Sequence, residues 1–196
     1  MNTVLVVYTT NSGSTAEVAR VIGEELSREG TAVEVRPLAE VTEVSGYQAV
    51  IVGGPMILGW HRDTVAFLKR HQEALRDKPV AYFFTALSLT RSDENHLNGC
   101  TVFQDPALAK APHNPAKLSF KEKYASVASY LEPPFQQAPQ VHPVSAAFFA
   151  GSLDYGKLSL FQKLFVRFII GAEAGDFRNW EAIRSWAVDL RPRLTA

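Results

Sequence analysis

At 196 residues the chain is long enough to bury the core of one large domain, and residues 1–196 read as a single unit. Hydrophobic residues make up 46% and charged residues 20%, a globular balance, and 20 cations against 20 acids leave a formal net charge of zero. That neutrality offers no basic face for nucleic acid, and a single cysteine excludes an intramolecular disulfide or a thiolate cluster.

The first run, Val4–Tyr8, is apolar and short, which predicts a buried strand. It enters the chain without a basic leader or a small-residue cleavage site, and no apolar run approaches membrane-spanning length, so the expected location is the cytoplasm. The segment that follows carries Val18, Ile22 and Leu26 at helical spacing, with Glu24 and Arg28 as an i,i+4 pair on the wet side. Gly30 ends this helix, and Ala32–Arg36 reads as a second strand. Gln48–Val52 is the third strand, broken by Gly53-Gly54-Pro55. A helix over Thr64–Leu75 leads to Pro79 and a fourth strand, Val80–Phe84. The fifth, Ala146–Ala150, comes much later, and the last helix runs from about Trp180 to Leu190 behind Asn179 as N-cap.

Apolar strands alternating with helices predict an α/β fold, an open parallel sheet covered on both faces. Five such strands most often wind in the order 2-1-3-4-5, with the ligand at the carboxyl ends of strands one and three. Two long insertions interrupt this plan. Leu89–Val144 follows strand four and has helical character only around Ser119–Leu131; the other follows strand five and contains the apolar stretch Leu158–Ile170.

Chemistry is expected where three turns meet at the carboxyl edge. The first is Thr9-Thr10-Asn11-Ser12-Gly13-Ser14-Thr15, rich in hydroxyls and placed between a strand and a helix N-terminus. Free backbone N–H groups and the helix dipole suit a phosphate dianion there. The turn holds no Lys or Arg, so hydrogen bonds and dipole must carry the binding without ion pairs. It also lacks a Walker lysine and the spaced glycines of a dinucleotide fingerprint, which favours a mononucleotide. A plain stability reading of Ser14 and Glu17 as a capping box competes with this. The second turn contains Pro55, Met56, Ile57, Gly59, Trp60 and His61, and the third contains Thr85, Ala86, Leu87 and Ser88. His96, Cys100, Asp93, Glu94 and His113 match no metal-ligand spacing, so no metal is expected.

The segment Thr10-Asn11-Ser12-Gly13-Ser14-Thr15 resembles the phosphate loop of the flavodoxin family, Thr-x-Thr-Gly-x-Thr, with Ser in place of the second Thr. The resemblance implies FMN as cofactor, its phosphate on residues Thr10 to Thr15 and its ring between the second and third turns, with Trp60 stacked on it. Gly59 would permit a peptide flip on flavin reduction. Half the chain is also similar to bacterial menaquinone-dependent protoporphyrinogen oxidases. They carry Gly-x-x-x-x-x-Gly-x-x-His in the second turn and Ala-Gly-x-Leu-x-Tyr after the last strand. Here Gly53, Gly59 and His61 correspond to the first, with His61 one residue nearer to the glycine. Ala150-Gly151-Ser152-Leu153-Asp154-Tyr155 corresponds to the second.

That likeness implies an FMN-dependent oxidoreductase passing electrons from an organic donor, protoporphyrinogen for one, to a quinone. His61, Asp154 and Tyr155 are its nearest catalytic candidates. The apolar stripe of Leu158–Ile170, with Lys157, Lys163 and Arg167 opposite, reads either as a contact with a membrane surface or a quinone tail, or as a helix packed on the sheet or on a second copy in a homodimer. A one-electron carrier and a non-catalytic flavin-binding module remain the competing classes; zero net charge counts against the carrier, since flavodoxins are typically strongly acidic.

Overall fold

Alternate residues of β1 (Thr3–Tyr8) point to opposite faces of the sheet, and both sets are buried. Val4 and Val6 pack into one apolar layer, Leu5 and Val7 into the other. Such double burial is why the sequence shows a continuous apolar run instead of alternation. The computed structural model describes residues 3–56, 59–93, 95–153 and 174–194.

After β1 come α1 (Ser14–Ser27), β2 (Ala32–Pro37), β3 (Ala49–Met56), α2 (Arg62–Leu75) and β4 (Val80–Ala86). Within the first insertion lie β5 (Leu89–Thr90), β6 (His96–Leu97), β7 (Cys100–Gln104), β8 (Ala109–Lys110), α3 (Phe120–Tyr124) and α4 (Val127–Gln137). The chain then forms β9 (Pro143–Ala150), β10 (Ser152–Leu153), β11 (Gly175–Asp176) and a last helix, α5 (Trp180–Leu194). Helices α1 and α5 cover one face of the sheet, and α2 and α4 lie together on the other.

The five expected strands are present and wind as expected, β2-β1-β3-β4-β9, all parallel. The count of five is corrected, because the sheet has seven strands. β7 joins β9 in parallel, and β6 closes the edge antiparallel to β7. The first insertion is therefore partly sheet. Its signal was the dipeptide Asn98-Gly99, whose φ values of 50° and 82° make the two-residue hairpin turn that this pair favours. Helix α4 also runs through Pro133 and Pro134 to Gln137, beyond the expected end near Leu131.

Two local expectations are corrected as well. Arg28 pairs with Glu25 at 2.9 Å, one turn back at i,i+3, while Glu24 lies 4.0 Å from Arg20. The capping box at Ser14 and Glu17 is absent, since Gly13 is the N-cap of α1 and Ser14 already belongs to the helix. Among the described residues no helix is long and apolar enough to cross a membrane. Leu158–Ile170 lies outside the described residues.

Candidate functional site

The first turn is shaped by one glycine. Gly13 has φ of +94°, the left-handed region, and its N–H donates to Thr10 Oγ1 at 2.9 Å. With Gly13 rather than a side-chain acceptor at the N-cap, α1 has no side-chain cap hydrogen bond to its first N–H groups. Those groups and the positive end of the dipole are what a phosphate needs.

Three segments distant in sequence meet beside this helix end. Asn11, Ser12, Ser14 and Thr15 line a small cavity of about 40 Å³ together with Pro55, Met56, Thr85, Ala86 and Leu87. Thr15 is fully buried, and its hydroxyl shares a hydrogen bond of 2.9 Å with that of Thr85, which ties the first turn to the third. On this scale the cavity has room for about three waters, and so for a phosphate-sized anion. The donor-rich helix end and the hydroxyl lining fit the phosphate of FMN.

Other expected residues fall elsewhere. Thr9 and Thr10 face a second groove of about 430 Å³ with Tyr8, Leu38, Asp63 and Arg70. Ser88 lines a third cavity, of about 440 Å³, shared with Leu108, Lys110, Lys121 and Ala125 of the first insertion. Trp60 departs furthest from its expected role. It is 6% exposed, with its ring 4.4 Å from Phe84 and 5.1 Å from Tyr82, so it packs in the core beneath the second turn instead of offering a face to a flavin. Its indole N–H and the Thr64 hydroxyl are buried without a partner among the described residues, close to where Gly54 would carry a Cβ.

His61 caps α2, its Nδ1 accepting the Asp63 N–H at 3.3 Å, while its own N–H donates to Pro55 O at 3.2 Å and closes the second turn. Gly59 adopts φ of +100°, as a turn of this tightness requires. Ile57, Asp154 and Tyr155 lie outside the described residues.

Three contributions come from outside the expected site residues. Gly151, Ser152 and Leu153 complete the wall of the small cavity, and β10 is held there by its antiparallel partner β11. Arg178, just after β11, reaches back to α1: its Nη1 lies 2.9 Å from Glu17 and 3.4 Å from Ser14 O, and its Nη2 donates to Asp176 at 2.6 Å. A guanidinium thus does stand at α1, but two carboxylates already engage it, and Arg178 in turn holds the Asp176 carboxyl below its usual range. Asp105 is fully buried and accepts from Ala107 N–H, Ala150 N–H and the Asn179 amide at 2.9–3.1 Å. Gly151, Ser152 and Leu153 fall in the Ala150–Tyr155 motif, whereas only the folded chain brings Arg178 and Asp105 to their partners, so nothing in their local sequence marks those two.

Cys100 is buried, and burial pushes its thiol up to about 12, which makes it inert at neutral pH.

A family model described as a flavodoxin domain matches residues 5–179. Protoporphyrinogen IX dehydrogenase (quinone) of Escherichia coli strain K12 is 20% identical over 197 residues, spanning 95% of this chain and 93% of that protein. A short-chain flavodoxin associated with a PDU bacterial microcompartment superposes with a TM-score of 0.56 at 11% identity, covering 100% of both chains. Flavodoxin 2 from Bacillus cereus gives 0.51 at 14%, over 97% of this chain and 99% of that one. Rubredoxin oxygen:oxidoreductase from Desulfovibrio gigas gives 0.53 at 16%, with all of this chain covering only 38% of that protein. The match over residues 5–179 places the chain in the flavodoxin-domain family, and FMN is its cofactor.

Proposed function

We infer that the protein is an FMN-dependent oxidoreductase that takes electrons from a reduced organic heterocycle and passes them to a quinone, with protoporphyrinogen IX as the first donor to test. The observation that carries the redox reading is the convergence of three turns on the helix end opened by Gly13. The choice of donor and acceptor draws on the E. coli relative, which aligns end to end.

Asn11, Ser12, Ser14 and Thr15 would hold the FMN phosphate through backbone N–H groups and hydroxyls, with Thr85, Ala86 and Leu87 along the opposite wall. Bound FMN supplies the electron transfer itself. The chain's part is to fix the cofactor and exclude water. The Thr15–Thr85 hydrogen bond holds the first and third turns in register, and the β10–β11 ribbon closes the third side. His61 stands at the start of α2 with Nδ1 accepting from Asp63 N–H, which leaves Nε2 to carry the ring proton.

The test is anaerobic oxidation of protoporphyrinogen by a soluble menaquinone analogue, read by porphyrin fluorescence, with FMN-loaded protein and with apoprotein. Turnover that needs both FMN and quinone supports the reading. A flavin-loaded protein that leaves the donor untouched removes protoporphyrinogen from it.

A further inference from the structure

We propose that the short helix α3 and the loop before it form a docking surface for an anionic lipid bilayer, placed at the mouth of the 440 Å³ cavity. Between Pro106 and Ser126 the chain carries four lysines, Lys110, Lys117, Lys121 and Lys123, against a single acid, Glu122. All four lysines are exposed. A chain of zero net charge has therefore gathered a local excess of three positive charges in about twenty residues.

Apolar side chains stand among them. Phe120 is 84% exposed, the most exposed of the large hydrophobics among the described residues, and Tyr124 on the same helix is 38% exposed. A phenyl ring left this far in water has no folding role to explain it; inserted at the lipid interface beside lysines whose stems can follow it, it gains what the fold does not provide. Nor is the loop floppy bait. Glu122 accepts from His113 N–H, Ser119 N–H and Ser119 Oγ at 2.6–2.7 Å, so the one acid braces the loop. Thr90 further pins α3 by donating from Oγ1 to Glu122 O at 2.8 Å.

Location gives the surface a use. Lys110, Lys121, Glu122, Ala125 and Phe177 line the cavity, which reaches inward to Ala86 and Leu87, residues that also wall the small cofactor cavity. A lipid-soluble quinone could pass from the bilayer into it without crossing water. That use rests on the oxidoreductase reading; the surface itself does not.

The experiment is co-sedimentation of the FMN-loaded protein with vesicles of phosphatidylcholine containing about 30% phosphatidylglycerol, and with pure phosphatidylcholine, in the absence of donor and quinone. Binding to the anionic vesicles that weakens with salt is expected. Joint Lys117→Gln, Lys121→Gln and Lys123→Gln should weaken it about 100-fold, at roughly fivefold per charge. Phe120→Ser should weaken it about tenfold, and being a surface change it serves alone if the triple variant loses its near-UV spectrum. Neutralising Arg20, Arg62 and Arg76 instead should change binding less than about twofold, since those cations lie elsewhere. Absence of binding to anionic vesicles, or binding indifferent to the lysine and Phe120 changes, overturns the proposal. So does lysine-dependent capture of polyglutamate without vesicle binding, which would make the partner an acidic protein. Because no substrate is present, failure here leaves the turnover assay standing, and the reverse holds too.

Discussion

Gly13, in the first turn, and Gly53, inside β3 rather than in the turn that the sequence suggests, are required for opposite reasons. Nothing lies within 4 Å of a Cβ built on Gly13, but its φ of +94° strains any L side chain. Gly13→Val should cost about 1–2 kcal/mol of stability through backbone strain alone. It should also weaken FMN binding at least tenfold (about 1.4 kcal/mol), read by quenching of flavin fluorescence on titration; unchanged affinity would remove the phosphate from this turn. A Cβ on Gly53 would fall 1.8 Å from Cζ of Phe83, which is fully buried. Gly53→Ala should therefore destabilise by about 3 kcal/mol in urea unfolding. The sequence marks both glycines as turn residues and cannot tell them apart, because one demand is a dihedral angle and the other is a ring packed from the next strand.

At the scale of elements, Arg178 ties the β10–β11 ribbon to α1. Its side chain is 9% exposed and its partners Glu17 and Asp176 are each 50% exposed, so solvent screens the pair and Arg178→Ala should cost only about 1 kcal/mol. The pH dependence has a definite sign. Asp176 is held below its ordinary value chiefly by the hydrogen bond from Arg178, so its contribution is complete above the unfolded pKa of about 4 and is lost as pH falls through the folded one. Thermal unfolding between pH 7 and pH 2 should show that acid loss in the parent protein and a shallower one in the variant. Equal slopes would mean that the ribbon is held by something else. Asp176 and Arg178 could be named from the sequence only as charged loop residues, 161 positions or so from the helix they clamp.

For the whole molecule, Asp105 shows why the first insertion cannot be treated as an appendage. Its carboxylate takes N–H groups from the insertion, from the end of β9 and from the cap of α5. Asp105→Ala leaves the Ala150 N–H buried and unpaired and releases two partly exposed donors, and should lower stability by about 1–3 kcal/mol. The unfolding transition should stay single, because β7 is hydrogen-bonded into the same sheet as β4 and β9. Two transitions, with the insertion melting first, would show the sheet extension to be independent of the core.

By itself the amino-acid sequence determined the five parallel strands, their order and the hydroxyl-rich turn that opens α1. Each follows from local chemistry: apolar runs bounded by breakers, and a hydroxyl-rich turn with a glycine before a helix. Only the tertiary structure decided that Trp60 belongs to the core, that an arginine far along the chain reaches α1, and that Asp105 joins insertion to sheet. It also decided that an Asn-Gly hairpin extends the sheet to seven strands. These depend on which surfaces meet after folding, and contact between residues far apart in sequence leaves no periodicity to read.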